Sequence, residues 1–421
     1  MFLSRAANRR EYDLVSASSA VLAAIDELRR GRMVIVCDAD DRENEGDLTL
    51  AAQFATPEAI AFMATHGRGL ICLSLTTSRC EELQLPPMVE TPGGRFGCAF
   101  TVSIEAREGV STGISASDRA RTIQAAIAPD TRPGDLVRPG HVFPLRSRPG
   151  GVLQRAGHTE AATDLTRLAG LIPAGVICEI VNADGTMARQ GDLATFAAEH
   201  DLVMVGIDEI AAHRRRTETL IDRVVDTRVP TNFGDFAAIG YREIHTGAEH
   251  VAFVLGNVAG ARDVLVRVHS ACLTGDVFGS HRCDCGDQLE SSLDLIQRSG
   301  AGVIVYLSQE GRGIGLLNKL RAYRLQEAGF DTVEANLRLG LPVDARDFAA
   351  AAQILDDLGV TSVRLISNNP EKRAVLADHG LEVTTQVMVG GSVRAGNHAY
   401  LRTKVNRLGH LIDLNAIRPL T

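Results

Sequence analysis

The sequence predicts two domains of the α/β and α+β classes, each built on a mixed β-sheet flanked by helices. Short apolar runs bounded by Gly, Pro or polar residues alternate with segments of helical periodicity along the chain. The hydrophilic stretch AAHRRRTET separates two such series, so we place the boundary within it and predict domains of residues 1–215 and 216–421. With 421 residues in total, each half is long enough to bury its own core.

The individual elements follow from local patterns. Ser18 and Ser19 can cap a first helix with one apolar face, Gly31 ends it, and residues 33–37 form a buried strand. The remaining apolar runs predict strands at 70–75, 100–105, 175–181, 251–255, 264–268, 303–307 and 363–367. Helical spacing between them predicts helices at 118–128, 159–169, 287–298, 314–328, 348–358 and 371–379.

Composition favours an intracellular enzyme over a secreted scaffold. The eight cysteines lie mostly singly within apolar runs, as buried thiols do, and not in a disulfide framework. The first residues lack the apolar core of a signal peptide, and no apolar run reaches the roughly 18 residues of a membrane helix. The net charge of −8 argues against a general nucleic-acid binder. We therefore predict a cytoplasmic protein that acts on small molecules and binds neither nucleic acid nor membranes. Independently of these observations, we expect a homodimer.

Three cysteines within HSACLTGDVFGSHRCDCG carry the clearest chemical signal. Cys272 follows an apolar run that predicts a strand, and Cys283 and Cys285 precede a predicted helix. Three thiolates leave a fourth zinc position open for water or substrate, as catalytic zinc sites do. The spacing also allows a closed structural site completed by His269 or His281.

An acidic cluster follows the first strand. Asp38, Asp40 and Asp41 precede the sequence RENEGD, whose Arg42 could hold a phosphate. Carboxylates at the exit of a strand suit a hard cation such as Mg²⁺. A solvated acidic loop has the same composition, so the choice between the two depends on other polar groups in this half.

Those other polar groups lie in three segments. RAGHTE opens a helix, so its backbone N–H groups and Arg155 can receive a phosphate while His158 faces a ligand. Glu179 lies within an apolar strand, which predicts a buried general base with a raised pKa. His141 lies in a Pro/Gly loop, where a lone histidine is more often incidental.

The second half has phosphate-binding signals of its own. A predicted strand runs into EGRGIG, whose glycines let backbone N–H groups approach a phosphate beside Arg312, although ordinary tight turns contain similar glycines. Asp344 and Arg346 are two residues apart and share one face if the segment is extended. SNNPEK ends a strand and opens a helix that carries Lys372, a second possible phosphate contact.

Residues 10–213 resemble 3,4-dihydroxy-2-butanone 4-phosphate synthase in a series of motifs that includes RENEGD, THGRGLIC, TGISASDRA, RPGHVFPL, RAGHTEAA and VICEIVNADGTMAR. The resemblance implies that Glu43 and His158 bind Mg²⁺ or Mn²⁺ and that His141 and Glu179 are catalytic. The implied contacts to ribulose 5-phosphate are Arg42, Glu43, Asp47, Arg155, Ala156, Gly157, His158, Thr159 and Glu179. A base beside a metal that chelates the carbonyl and hydroxyl oxygens suits the enolisation of a ketose, which a skeletal shift and loss of formate would follow.

Residues 229–411 resemble GTP cyclohydrolase II through the cysteine motif, EGRGIG, VDARDF and SNNPEK. The resemblance implies zinc at Cys272, Cys283 and Cys285, Mg²⁺ on the triphosphate of GTP, and release of formate and pyrophosphate. The other implied roles are Asp344 as proton acceptor, Arg346 as nucleophile or organiser at the α-phosphate, and Tyr323 in completing formate release. The implied GTP contacts are Arg267, Val268, His269, Ser270, Ala271, Gln288, Glu310, Gly311, Arg312, Thr332, Ser367 and Lys372.

One position departs from the second pattern. The family reads His-Ser-Glu-Cys where this chain has Ala271 before Cys272. The missing carboxylate removes a contact to GTP or to a network that orients the zinc ligands. The sequence therefore predicts a bifunctional lyase and hydrolase of riboflavin biosynthesis, with two alternatives for the second half: a non-catalytic zinc- and GTP-binding module, or an enzyme that stops at the formamidopyrimidine.

Overall fold

The computed structural model describes residues 19–39, 42–90, 97–389, 394, 397–409 and 411. The chain divides into two compact units, Met1–Thr217 and Glu218–Thr421, which we call the N-terminal and C-terminal units. Each contains a seven-stranded sheet with parallel and antiparallel pairs, which confirms the predicted fold class. Ser18, Asp40 and Asp41 lie outside the described residues. None of the helices within these ranges has the length and apolar character needed to span a bilayer.

The N-terminal unit alternates helices and strands. Its helices are α1 (19–29), α2 (Pro57–Phe62), α3 (Thr77–Glu82), α4 (Ala116–Ile127), α5 (His158–Leu168), α6 (Gln190–His200) and α7 (Ile207–Thr217). Its strands are β1 (Val34–Cys37), β2 (Gly46–Ala51), β3 (Cys72–Leu75), β4 (Ile104–Ala106), β5 (Leu136–Arg146), β6 (Ala174–Glu179) and β7 (Val203–Gly206). They form a sheet in the order β4-β5-β3-β6-β2-β1-β7.

Strands β2 and β6 lie inside this sheet and carry two of the predicted site residues. Every residue of β2 is buried, and antiparallel pairing places Asp47 of β2 opposite Glu179 of β6. Helix α5 packs closely on β6, because a Cβ at Gly175 would lie only 2.8 Å from the Ala162 side chain. Glycine at that position therefore allows α5, which begins with His158, to approach the strands that carry the carboxylates.

The structure corrects several predictions in the N-terminal unit. The strand predicted at 100–105 is limited to Ile104–Ala106, and the residues before it form only isolated bridges. Helix α4 begins at Ala116 rather than at 118, because the Ser115 hydroxyl accepts the Asp118 N–H and caps the helix. Strands β2 and β5 are absent from the sequence prediction, because GDLTLA and LVRPGHVFPLR combine polar, Gly or Pro residues with apolar ones.

The C-terminal unit has the same mixed composition. Its helices are α8 (Leu273–Asp276), α9 (Cys285–Ser299), α10 (Leu316–Glu327), α11 (Thr332–Arg338), α12 (Ala349–Asp357), α13 (Pro370–Asp378) and α14 (His398–Leu408). Its strands are β8 (Ile221–Thr231), β9 (Gly234–Glu243), β10 (Glu249–Leu255), β11 (Val264–Ser270), β12 (Gly302–Leu307), β13 (Ser362–Ile366) and β14 (Glu382–Val387). The sheet order is β14-β13-β11-β12-β10-β9-β8.

The parallel strands β12, β11 and β13 position the site of the C-terminal unit. They continue into EGRGIG, the cysteine segment and SNNPEK respectively. Carboxyl ends of neighbouring parallel strands lie at one edge of a sheet, so these three loops converge. The strands are largely buried on both faces, which explains their continuous apolar runs. The edge strand β8 is mostly exposed, and charged residues interrupt its apolar ones, so no apolar pattern predicts it.

Candidate active sites of the two units

The first site begins where β1 ends. Asp38, Glu43 and His158 each offer a ligand atom, and these atoms lie within 4.8 Å of one another. Asp38 organises the intervening turn, since its carboxylate accepts the N–H groups of Glu43 at 3.0 Å and Glu45 at 2.8 Å. Arg42 donates to Asp38 Oδ2 at 2.7 Å and to Glu43 Oε2 at 2.8 Å. The turn therefore presents two carboxylates to the histidine.

His158 has the environment of a metal ligand. It is buried at the first position of α5, with Nδ1 3.7 Å from Glu43 Oε2, and its Nε2 is buried without a hydrogen-bond partner. Burial alone would lower the pKa of His158, but the carboxylates of Asp47 and Glu43 raise it to about 9. One imidazole nitrogen and two carboxylates fit a hard divalent cation.

The carboxylates of Asp47 and Glu179 lie beside this cluster. Burial raises the pKa of Asp47 to about 7. Glu179 Oε2 accepts the Leu70 N–H at 2.8 Å, and a Cβ at Gly69 would lie 2.6 Å from the same oxygen. The prediction that Glu179 is buried inside a strand is wrong: it is half-buried at the last position of β6. A carboxylate at a strand end can meet a ligand that a fully enclosed one could not.

The phosphate-binding segment predicted at 155–159 forms the entry to α5. Gly157 is the residue before the helix, and Ala156 precedes it in the loop. Arg155 donates to Glu160 Oε2 at 2.5 Å, which holds its guanidinium near the first turn. Thr159 is buried in that turn, where the backbone N–H groups lack partners within the helix.

His141 is not in a loop. It lies on β5 with an exposed imidazole whose Nδ1 is 3.3 Å from Glu105 Oε1. The strand tolerates the neighbouring Pro139 and Gly140 because its pairing with β4 is irregular and includes a shift of register.

The second site contains the three cysteines. The ligand atoms of Cys272, Cys283 and Cys285 lie within 4.8 Å of one another, and the first two sulfurs are 3.6 Å apart. Cys285 is the first residue of α9, which begins there rather than at 287. His269 Nε2 instead faces Asp276 at 3.1 Å, and in the described part of the chain neither His269 nor His281 joins the thiol cluster. This arrangement favours the open site over the closed one.

A hydrogen-bond network fixes Cys272. The Asp276 carboxylate accepts the Cys272 N–H at 3.0 Å and the Tyr306 hydroxyl at 2.8 Å. Lys319 Nζ lies 3.0 Å from Cys272 Sγ and donates to Glu310 Oε1 at 2.8 Å. The neighbouring thiols and then Lys319 lower the pKa of Cys272. The pattern of thiolate, buried cation and carboxylate is typical of groups that support a metal ligand.

The triad opens into a cavity. Its walls include the three cysteines and every predicted GTP contact except Val268, whose carbonyl accepts Lys372 Nζ at 2.6 Å. Tyr323 and Arg346 also line it. Residues that the sequence analysis did not select complete the lining, among them Lys319, Gln326, Asn336, Asn368, Asn369, Tyr400 and Lys404.

Asp344 does not line the cavity but is bound to Arg346, which does. Arg346 Nε donates to Asp344 Oδ1 at 2.9 Å and Nη2 to Oδ2 at 2.5 Å. Burial would raise the pKa of Asp344, but these hydrogen bonds lower it below its usual value. Tyr323 OH lies 3.4 Å from Thr274 Oγ1 in the segment after the first cysteine, which places it beside the triad.

A buried chain of polar groups extends from the cavity floor. Arg267 donates to Gln288 Oε1 at 2.6 Å, Gln288 donates to Asp284 at 2.7 Å, and Lys404 Nζ donates to Asp284 at 2.6 Å. Lys404 belongs to α14, so the C-terminal helix contributes to this site. Its polar helical segment offers no sequence signal by itself, and only the match with Asp284 in space reveals it.

Both halves of the chain match the models of known protein families. Residues 22–213 match the family model of 3,4-dihydroxy-2-butanone 4-phosphate synthase, and residues 222–388 match that of GTP cyclohydrolase II. The chain is 58% identical to the riboflavin biosynthesis protein RibBA of Salinispora tropica over 390 residues. These aligned residues cover 92% of this chain and 98% of the relative. This chain belongs to the RibBA family. The predicted bifunctional enzyme of riboflavin biosynthesis is thereby confirmed.

Other relatives extend the RibBA assignment. The RibBA protein of Bacillus cereus strain B4264 is 55% identical over 391 residues, which is 93% of this chain and 98% of the relative. The crystal structure of RibBX, a two domain 3,4-dihydroxy-2-butanone 4-phosphate synthase from A. baumannii, superposes with a TM-score of 0.69 at 38% identity. It covers 88% of this chain and 99% of RibBX. The two-unit architecture therefore occurs in an experimental structure of a related protein.

Proposed function

We propose that the N-terminal unit converts ribulose 5-phosphate to 3,4-dihydroxy-2-butanone 4-phosphate and formate at the site around His158. The convergence of Asp38, Glu43 and His158 with the carboxylates of Asp47 and Glu179 at one edge of the sheet carries the proposal. The first three residues would hold Mg²⁺ or Mn²⁺. Once bound, the cation would polarise the ketose carbonyl and stabilise the enediolate.

The protein groups supply proton transfer and orientation. Glu179 accepts the proton from the carbon beside the carbonyl, and the Leu70 N–H orients its carboxylate for that step. Arg155 and the free N–H groups at the start of α5 bind the phosphate. Arg42, already fixed by Asp38 and Glu43, lies at the cation end of the substrate. His141 contributes a second proton-carrying group from β5.

For the C-terminal unit the proposal is opening of GTP with release of formate and pyrophosphate. Cys272, Cys283 and Cys285 would hold zinc, and the metal would supply an activated water for attack on the guanine imidazole carbon. The cavity residues Arg267 and Arg312 provide cationic contacts for the triphosphate, which would carry Mg²⁺. Lys372 adds a hydrogen-bond donor, although burial and the neighbouring Arg267 lower its pKa.

The geometry of Asp344 and Arg346 favours one of two roles for the arginine. A guanidinium held by two hydrogen bonds to an ionised carboxylate is a cation and lacks a free electron pair. We therefore assign Arg346 to organising the α-phosphate, with Asp344 as the proton acceptor. Tyr323, on the cavity wall beside the triad, supports completion of formate release over arrest at the formamidopyrimidine.

The alternative of a non-catalytic C-terminal module has one observation in its favour. Ala271 lines the cavity directly before Cys272, where the family pattern has a carboxylate. The purified chain incubated separately with ribulose 5-phosphate and Mg²⁺, and with GTP, Mg²⁺ and zinc, distinguishes these functions when the products are identified by mass. We expect formate in both reactions and a diaminopyrimidine phosphate from GTP. Recovery of intact GTP would support a non-catalytic C-terminal module. A formamidopyrimidine product would support an enzyme that stops at that intermediate. The homodimer and the cytoplasmic location remain proposals.

A further inference from the structure

A histidine–carboxylate pair lies on strands β4 and β5 of the N-terminal unit. His141 Nδ1 is 3.3 Å from Glu105 Oε1, while 43% of the histidine side chain and only 14% of the glutamate side chain is exposed. The imidazole thus faces outward from a carboxylate that is mostly enclosed. A carboxylate on one ring nitrogen fixes which tautomer the imidazole adopts and how the ring is oriented.

The carboxylate of Glu105 sits against a glycine that leaves room for it. A Cβ at Gly113 would lie 1.1 Å from Glu105 Oε1, and Gly113 has a φ of +88°, which side-chain-bearing residues rarely adopt. Asp118 fixes this glycine by accepting its N–H at 3.0 Å and the Ser111 hydroxyl at 2.7 Å. The conformation of TGISASD therefore defines the space that Glu105 occupies.

The histidine side of the pair is fixed by a second glycine. A Cβ at Gly140 would lie 2.1 Å from the backbone carbonyl of Ile104, so β5 approaches β4 most closely beside the pair. The Gly140 N–H donates to Ser103 Oγ at 3.2 Å. Each member of the pair thus directly neighbours a residue of this tight crossing, Glu105 next to Ile104 and His141 next to Gly140.

We propose that Glu105 is a positioning residue for the synthase reaction: it accepts the proton of His141 Nδ1, so that Nε2 presents its electron pair to the substrate. The inference rests on the proposed function of the N-terminal unit, because it assumes that His141 exchanges a proton there. Gly113 serves the same purpose indirectly, since only glycine leaves the carboxylate in place. The motif TGISASDRA thereby gains a role that its sequence did not suggest.

Glu105→Gln in the full chain tests the proposal with two readouts. An amide can offer its N–H group to Nδ1 and so release the tautomer, and we expect kcat for ribulose 5-phosphate to fall about 100-fold with little change in KM. In ¹⁵N-histidine-labelled protein, the His141 ring should change from the Nδ1–H to the Nε2–H tautomer. His141→Asn identifies the resonances. Glu108→Gln, at an exposed glutamate on the loop that follows β4, should leave both readouts unchanged.

A second variant tests the position of the Glu105 carboxylate without introducing a glutamine amide. Gly113→Ala should displace the Glu105 carboxylate and lower kcat similarly, and adding Glu105→Gln should then lower it no further. A parental kcat in Glu105→Gln, or a lowered kcat with an unchanged His141 tautomer, would overturn the proposal. If His141→Asn keeps the parental kcat, the proposed role of His141 in the reaction is wrong. In that case the tautomer of His141 in Glu105→Gln still shows whether Glu105 determines it.

Discussion

The two candidate sites hold their proposed metal ligands in different ways. In the N-terminal unit, Asp38, Glu43 and His158 come from a strand end, a turn and a helix start, and the histidine keeps a buried nitrogen without a partner. In the C-terminal unit, the three thiols come from one segment, and a lysine already contacts the Cys272 sulfur.

This difference concerns protons and charge. The carboxylates around His158 stabilise its protonated form, so a cation entering the first site has to displace a proton. In the second site the Lys319 ammonium group offsets the charge of the Cys272 thiolate, so that the proposed zinc would meet a partly prepared set of ligands. We therefore expect cation affinity in the first site to depend on pH. In the second site we expect zinc affinity to fall when the supporting charge of Lys319 is removed.

We expect the largest effect, a loss of zinc and of GTP opening, from the substitution that removes one of the three thiols. Cys283→Ser should lose stoichiometric zinc and GTP opening, because two thiolates cannot complete the open tetrahedral site. Ribulose 5-phosphate turnover should persist. Metal analysis of the purified variant measures this, with Cys98→Ser, an exposed thiol of the N-terminal unit, as the control. Stoichiometric zinc in the Cys283 variant would contradict the assignment.

The next effect is the pH dependence of cation binding in the first site. Since the pKa of His158 is raised to about 9, the histidine is protonated at neutral pH and proton competition weakens as pH rises. The Kd for Mn²⁺ should fall about tenfold per pH unit from 7 towards 9. Titration calorimetry measures it, and His158→Asn should bind weakly at every pH. A pH-independent Kd in the parent would contradict the expectation that a cation displaces a proton from His158 in this range.

Removal of the supporting charge should have a smaller effect, confined to the second site. Lys319→Met should weaken zinc binding about 10- to 100-fold, as loss of partners behind metal ligands does. Lys319→Arg keeps the charge and should recover part of the affinity. Competition with a chelator measures these values, and Arg321→Met on the exposed face of α10 is the matched control. Equal affinities in Lys319→Met and the control would show that the contact has no energetic role.

The smallest effect concerns the departure from the family pattern. Ala271→Glu should raise GTP opening by about tenfold if the carboxylate normally orients the zinc ligands or the substrate. Steady-state kinetics of both proteins measures the change, with ribulose 5-phosphate turnover as the internal control. An unchanged rate above a robust parental activity would show that the carboxylate is dispensable here, because Asp276 and Lys319 already hold Cys272.

The sequence predicts features that lie within one segment of the chain, but it does not predict contacts between residues far apart in the chain. The three cysteines and the loops after β11, β12 and β13 lie in continuous motifs, so apolar runs and spacing locate them. Lys319 is 47 residues from Cys272, and Lys404 is 120 residues from Asp284, so only the folded chain brings these pairs together. A buried strand such as β2, with Gly, Asp and Thr, gives no apolar pattern, because its pairing with β1 and β6 determines it.

We expect one chain to carry two active sites that work independently of each other. The most direct test is the Glu179→Ala chain, assayed beside the parent for formate from ribulose 5-phosphate and from GTP in the same preparation. We predict that loss of the base lowers the first rate by about 10²- to 10⁴-fold and leaves the second at the parental value. Near-parental formate release from ribulose 5-phosphate in the variant would contradict the role of Glu179. A parallel fall in both rates, or a parent that releases no formate from GTP, would contradict two independent active sites.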